Sequence, residues 1–170
     1  MKWYGISGSW RRSNNELREN VEEVVTGILQ SGGGIITGGA LGVDYIATQT
    51  VLNNSENPGG CLKIYLPVQF ERYLIHIYQR TLEKVVKPDQ ADNLVSQLIL
   101  VRRSYPKCIF DNWNFKEVNP ESYYARNSQI IKDCDELYAF HINKTKGVQD
   151  AINKAKKLNK PVHIREYSLK

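Results

Sequence analysis

The chain has 170 residues, of which 41% are hydrophobic and 24% are charged, and this composition is typical of an ordinary globular domain. No run of about 18 apolar residues indicates a membrane span, and the amino terminus lacks an apolar signal segment. We therefore expect one cytoplasmic domain over residues 1–170 with no membrane partner. The net charge of +5 is modest and suits an anionic small ligand or weak binding of single strands.

The side chains that most often bind metals are scattered along the chain: Cys61, Cys108, Cys134, His76, His141 and His163. No Cys-x-x-Cys pair and no histidine cluster occurs, so the sequence predicts no metal site. We interpret the thiols as reduced and structural, and each histidine as a packed or surface side chain.

Short apolar strands alternate with helical patterns along most of the chain. Strands are predicted at residues 3–6, 35–36, 61–66, 137–141 and 161–164. Helices are predicted from Asn14 or Asn15 to about Ser31, from Val43 onward, from the cap at Asn119 to about Cys134, and from about Thr145 onward. This alternation is typical of a parallel sheet with crossover helices. The predicted fold class is α/β, a Rossmann-like doubly wound sheet of about five mainly parallel strands with helices on both faces.

Residues 68–118 are less regular, and we expect a variable, insertion-like region beside the ligand cleft. Helical spacing runs from Phe70 to Val85, and a second helix is predicted around residues 94–101, although residues 97–101 also fit a strand. Residues 105–118 are rich in aromatic side chains and are predicted to form a loop.

The first predicted strand ends in the turn Ile6-Ser7-Gly8-Ser9-Trp10-Arg11. Glycine lets a backbone come close to a ligand, and a following helix offers free N–H groups to an anion. The hydroxyls of Ser7 and Ser9 can donate to phosphate oxygens, and Arg11 can pair with one. We therefore assign Ser7, Gly8, Ser9 and Arg11 to a candidate phosphate site. The alternative is a plain strand-to-helix turn.

The second predicted strand leads into Thr37-Gly38-Gly39-Ala40-Leu41-Gly42-Val43-Asp44. Three glycines within five residues are costly in conformational entropy unless the backbone bends sharply or touches a ligand. We therefore predict ligand contacts at Gly38, Gly39, Ala40 and Gly42. The segment has neither the order of a Walker loop nor that of the dinucleotide fingerprint. Asp44 either favours the helix dipole or holds a ribose hydroxyl or a water, and it is the one candidate for a catalytic carboxylate.

The helix after Pro120 has an amide, Asn127, on an otherwise apolar stripe. A buried amide must be hydrogen-bonded, so Asn127 is predicted to hold a neighbouring loop or a ligand. Arg126 lies at the edge of that stripe, where it either contacts the ligand or faces solvent.

The segment between the fourth predicted strand and the last helix contains Thr145, Lys146 and Gly147. A hydroxyl, an ammonium group and a glycine at a helix N-terminus make a third candidate anion site. The alternative is an ordinary surface loop with lysines.

Three segments, in this order, resemble the superfamily that joins DNA-processing protein A (DprA/Smf) with the "lonely guy" (LOG) phosphoribohydrolases, the SLOG superfamily. They are Thr-Gly-Gly-Ala-Leu-Gly-Val-Asp-Tyr-Ile-Ala at 37–47, Tyr-Ala-Arg-Asn-Ser-Gln-Ile-Ile at 124–131 and Thr-Lys-Gly-Val-Gln-Asp-Ala-Ile at 145–152. The resemblance implies a Rossmann-like fold with the phosphate of a nucleotide or nucleic acid over these turns.

The chain departs from this superfamily at a catalytic position. LOG enzymes carry Pro-Gly-Gly-x-Gly-Thr-x-x-Glu, whose glutamate acts in cleaving the N-glycosidic bond. Aligning its Gly-Thr on Gly147-Val148 places Ala151 at the glutamate position, and Asp150 points about 100° round the helix. Relative to DprA, the chain has no matching C-terminal helical domain. The resemblance therefore implies a small, stand-alone member that binds a nucleotide-like anion.

We interpret the protein as a sensor or carrier that binds a nucleotide or nucleotide-derived ligand through glycine-rich phosphate-binding turns. Two alternatives stay open. One is a nucleotide-processing hydrolase of an N-glycosidic or phosphate bond. The other is a DprA-like protein that binds single-stranded DNA and stacks bases on Trp10, Trp113 or Phe115. No cofactor is predicted beyond a nucleotide-like ligand, and a homo-oligomer is compatible with each alternative.

Overall fold

The computed structural model describes residues 1–10 and 14–168. Six strands form one parallel sheet in this part of the chain: β1 (Trp3–Gly8), β2 (Gly34–Thr37), β3 (Leu62–Tyr65), β4 (Ile109–Phe110), β5 (Glu136–Ile142) and β6 (Val162–Tyr167). Their order across the sheet is β4-β3-β2-β1-β5-β6, and every pair is parallel. The predicted Rossmann-like α/β fold is confirmed.

The strands are joined mainly by helices. These are α1 (Asn15–Gln30), α2 (Val43–Asn54), the short α3 (Pro58–Cys61), α4 (Phe70–Leu82), α5 (Pro88–Ser104), α6 (Pro120–Asp133) and α7 (Lys146–Lys157). Two predicted caps are confirmed: Asn14 Oδ1 accepts from the amide of Leu17 at 2.8 Å, and Asn119 Oδ1 accepts from the amide of Ser122 at 2.8 Å. No described helix combines the length and apolarity needed to cross a membrane.

The region 68–118 differs from the expectation in three places. The predicted loop at 105–118 contains a 3-10 turn (Pro106–Cys108) and the two-residue strand β4. Residues 97–101 belong to helix α5 and not to a strand. Helix α4 ends at Leu82, before Val85, because the chain turns at Lys84, whose φ is +58°.

Helices cover both faces of the sheet, and alternate strand residues pack against different layers. Ile36 and Ala139 pack with α6 and α7, through residues such as Ile131 and Val148. On the other face, Ile35 and Phe140 belong to the larger core with α1, α2, α4 and α5. We call the side of the sheet that packs against α6 and α7 the α6/α7 face.

The strand order reverses at β1, because the chain passes from β1 outward to β4 and then returns to β5 on the other side of β1. In doubly wound folds, ligands bind outside the carboxyl ends of the strands at such a switch point. The three candidate anion sites follow β1, β2 and β5, so the fold brings all three to this edge.

Candidate functional site

The two glycine turns predicted from the sequence contact each other. The amide of Val43 donates to the carbonyl of Ser9 at 3.4 Å. A Cβ on Gly42, whose φ is +72°, would lie 2.3 Å from that same carbonyl oxygen, and a Cβ on Gly8 would lie 2.3 Å from a methyl carbon of Val43. Gly8 and Gly42 therefore allow the turns to pack closely. Arg11 lies outside the described residues, so its role stays a prediction.

Asp44 organises the turn after β2. Its side chain is buried, and one oxygen, Oδ2, accepts from the amides of Gly38 at 2.9 Å and Ala40 at 3.3 Å. Burial raises the pKa of this carboxyl group, while Arg126 and the two amides act in the opposite direction. The carboxylate is thus engaged in holding the loop that precedes its own helix.

Gly39 faces the protein core. A Cβ there would lie 2.8 Å from Ile64 and 3.0 Å from Leu66, and the φ of the residue is +62°. The Gly39 carbonyl accepts a hydrogen bond of 3.0 Å from the hydroxyl of the buried Tyr73. Burial raises the pKa of Tyr73, which keeps its hydroxyl protonated as a donor. Contacts with core residues therefore fix the conformation of this turn.

Arg126 on α6 lies over the same turn. Its Nη1 donates to the carbonyl of Gly38, and a Cβ on Gly38 would lie 2.2 Å from Nη1. The guanidinium carbon is 5.3 Å from the centre of the Tyr123 ring, a distance typical of a cation–π contact. The side chain is therefore directed to the β2 turn and away from the solvent-facing alternative.

Asn127 joins α6 to the start of α7. Its Nδ2 donates to the carbonyl of Gly147 at 3.2 Å and to Oδ2 of Asp150 at 3.1 Å. Lys154 Nζ also donates to that Asp150 oxygen, at 2.8 Å. Of the two roles predicted for this buried amide, the contacts match the first, which is to hold a neighbouring segment.

The N-terminus of α7 is open for contact. Thr145 is the N-cap residue, and its side chain makes no capping hydrogen bond. Lys146 and Gly147 are exposed, and a Cβ on Gly147 would meet nothing within 4 Å. The space that a side chain on Gly147 would occupy is therefore free.

The alternation of side chains along the strands places Ser7 and Gly38 on the α6/α7 face. A Cβ on Gly5 would contact Ile130 of α6, and Ser7 is two residues further along β1, so it lies on the same side. Ile36 packs on the α6/α7 face, and Gly38 lies two residues after it, so Gly38 is also on this side. Ser7, Gly38, Arg126 and the start of α7 are therefore all on one side of the carboxyl edge.

His141 is a residue of this edge that the sequence analysis did not assign to a site. It is only 4% exposed and follows Leu137 and Ala139, which pack on the α6/α7 face, at intervals of two. It directly precedes the end of β5 and the turn into α7. The alternation of residues 137, 139 and 141 along the strand was the sequence signal that could have assigned His141 to the α6/α7 face.

No protein-family model and no curated protein matches the sequence. Solved structures do match. The DNA processing protein A of Helicobacter pylori, described with a single-stranded DNA binding mode, has 18% identity and a TM-score of 0.66, with 96% of this chain covered. The DNA processing protein A of Streptococcus pneumoniae has 18% identity and a TM-score of 0.62, again over 96% of this chain.

A third match is the molybdenum cofactor binding protein of Rippkaea orientalis, with 15% identity and a TM-score of 0.60 over 98% of this chain and 77% of that one. The chain spans 64% of the Helicobacter protein and 50% of the Streptococcus protein. These likenesses show that the chain shares its fold with DNA processing protein A and with a molybdenum cofactor binding protein.

Proposed function

We propose that this protein binds a nucleotide or a nucleotide-derived ligand, with a phosphate at the carboxyl edge on the α6/α7 face. The observation that supports this most is the position of Arg126. Its guanidinium group lies over the β2 turn, and its Nε is buried with no hydrogen-bond partner among the described residues. A buried and unsatisfied donor atom on a cationic side chain favours a nearby anion.

The surroundings of Arg126 are also suited to a phosphate. The N-terminus of α7 carries a partial positive charge, and the hydroxyl of Ser7 and the ammonium group of Lys146 lie at the same edge. The nearby carboxylate of Asp44 is occupied by the amides of Gly38 and Ala40. Donor groups from β1, α6 and α7 therefore belong to the same edge of the sheet, and donors are what a phosphate requires.

The position aligned with the LOG glutamate supports binding over N-glycosidic cleavage. Ala151 is 2% exposed and packs in the small core with Val148 and Ile152. The adjacent Asp150 is engaged by Asn127 and Lys154. We therefore expect no release of free base from nucleoside monophosphates, which chromatography of long incubations would detect.

Binding of single-stranded DNA is a second candidate, favoured by one exposed aromatic side chain. Trp113 is 74% exposed and lies in the loop that joins the carboxyl end of β4 to the start of α6. Base stacking on such a ring is sequence-tolerant. The other two predicted platforms, Trp10 and Phe115, are partly buried against the large core, which makes them less available.

Calorimetric titration with nucleoside monophosphates and short single strands tests both candidates. We expect a monophosphate to bind and Arg126→Ala to lower its affinity about tenfold or more, because a hydrogen bond to a charged group is lost. Arg103→Ala, at an exposed position of α5, is the matched control and should bind normally. Tight binding of single strands alone, weakening steeply with salt, would favour the second candidate, and binding of neither would refute both.

A further inference from the structure

We infer that His141 is a phosphate-binding residue, which with Arg126 and Thr145 forms a buried subsite for the terminal group of a phosphate monoester. This inference rests on the proposed function and adds a residue and a ligand class to it. Internal phosphodiesters, such as those of a DNA strand, are the class that the subsite excludes.

The first observation is a set of polar atoms that lack partners. Four buried side-chain nitrogen or oxygen atoms in the described part of the chain have no hydrogen-bond partner, and three of them belong to these residues: Arg126 Nε, His141 Nε2 and Thr145 Oγ1. A buried polar group that is left unpaired destabilises the fold, and such groups are rare in folded proteins. Three at one edge of one sheet indicate a shared partner from outside the chain.

The second observation is their placement. His141 lies on the α6/α7 face at the end of β5, and the chain turns there because the amide of Thr145 donates to the carbonyl of Ile142 at 3.3 Å. Helix α7 then packs back over β5, with Val148 in the core of that face. His141 is therefore beneath the first turn of α7.

Arg126 is held near the first turn of α7 by the contacts of its neighbour Asn127. Asn127 donates to the carbonyl of Gly147 in the first turn of α7 at 3.2 Å, which holds α6 against that turn. Arg126 therefore comes to the first turn of α7 from helix α6, and His141 comes to it from the sheet. Thr145 is the N-cap residue of α7, so its hydroxyl belongs to the same turn as the free amides at the start of this helix.

The chemistry of the three atoms selects the ligand. A guanidinium Nε and a threonine hydroxyl both donate, and the imidazole Nε2 donates in one of its two neutral tautomers. A phosphate monoester offers three terminal oxygens, one for each donor. A carboxylate offers two, and a phosphodiester offers two together with a second ester group that a buried position cannot accommodate.

The test uses methyl phosphate and dimethyl phosphate as probes, titrated into the full chain by nuclear magnetic resonance. We expect methyl phosphate to bind, to shift the imidazole signals of His141, and to bind at least about tenfold more tightly than dimethyl phosphate. Equal affinity for the two esters, or binding that leaves His141 unshifted, would overturn the inference.

Variants separate a phosphate contact from a packing role. His141→Leu removes the donor and should lower methyl phosphate affinity about tenfold, whereas His141→Gln, whose amide nitrogen reaches about as far as Nε2, should restore most of it. His163→Gln, at an exposed position of β6, is the control. If His141→Leu does not fold, the comparison of His141→Gln with the wild type and the imidazole shift carry the test.

The outcomes also distinguish this inference from the proposed function. Nucleotide binding that is unaffected by both His141 variants would refute the subsite and leave the proposed function standing. Binding of methyl phosphate without any nucleotide would support the subsite and refute the nucleotide proposal.

Discussion

The guanidinium group of Arg126 occupies the space that a side chain on Gly38 would need. A Cβ at Gly38 would lie 2.2 Å from Nη1 and 2.5 Å from the central guanidinium carbon, and Nη1 donates to the carbonyl of Gly38. The glycine therefore positions the cation by lacking a side chain. The turn after β2 and helix α6 form one unit through this pair.

The first prediction follows from this contact. Gly38→Ala should displace Arg126 without unfolding the protein, because the collision is with the end of a flexible side chain. Nucleotide affinity should fall about tenfold, as for Arg126→Ala. Gly27→Ala is the control, because a Cβ there meets nothing within 4 Å and alanine favours its helix. Normal calorimetric affinity of Gly38→Ala would contradict the role of this pair.

The second prediction concerns the carboxylate that holds the same turn. Both amide bonds of Asp44 are made to Oδ2, so one amide oxygen in Asp44→Asn can accept both. Asp44→Ala leaves the amides of Gly38 and Ala40 unpaired and should lower the free energy of unfolding by about 1–3 kcal/mol. Urea titration measures both variants, and an Asp44→Asn protein as unstable as Asp44→Ala would contradict the argument.

The raised pKa of Asp44 gives a third prediction. Burial raises this pKa above its ordinary value of 3.8, so between that value and the raised one the folded protein binds more protons than the unfolded chain. The contribution of this group to stability is therefore complete at low pH and falls as pH increases through that window. Asp44→Asn should lose this dependence, so the difference in unfolding free energy, wild type minus Asp44→Asn, should decrease with rising pH. A flat or rising difference would contradict it.

Local signals in the sequence predicted most of the fold. Asn14 and Asn119 precede apolar helical stripes, so their capping roles could be read from a few residues. Strand β4 was missed because it has two residues, Ile109–Phe110, between a 3-10 turn and a polar loop. So short a segment has no period to detect.

The parts of the candidate site that could not be predicted from the sequence depend on contacts between residues far apart in the chain. Arg126 and Gly38 are 88 positions apart, and nothing in either local pattern specifies their pairing. The pattern around His141 contains the alternation of its strand, but a lone histidine on an apolar strand has no signal for an unpaired nitrogen. Its burial depends on how α7 packs over β5.

The fourth prediction concerns the link between α6 and α7. Asn127→Asp replaces a donor to Gly147 and Asp150 with a second carboxylate beside Asp150. The free energy of unfolding should fall by about 1–3 kcal/mol at neutral pH, and less at acidic pH, where a protonated carboxyl group can donate. Ser128→Asp, which adds the same charge at the neighbouring exposed position, is the control. Equal losses in the two variants would show that charge on α6, and not the lost bonds, is responsible.

The fifth prediction separates stability from binding at the start of α7. Gly147 is exposed, and a Cβ there meets nothing within 4 Å, so Gly147→Ala should raise the free energy of unfolding by about 0.5–1 kcal/mol through its helix propensity. The added methyl group would occupy the space through which a phosphate approaches the free amides of this turn. We therefore expect a higher melting temperature together with weaker binding of a nucleoside monophosphate. Gly27→Ala should show the first effect without the second. Unchanged affinity in Gly147→Ala would place the phosphate away from α7.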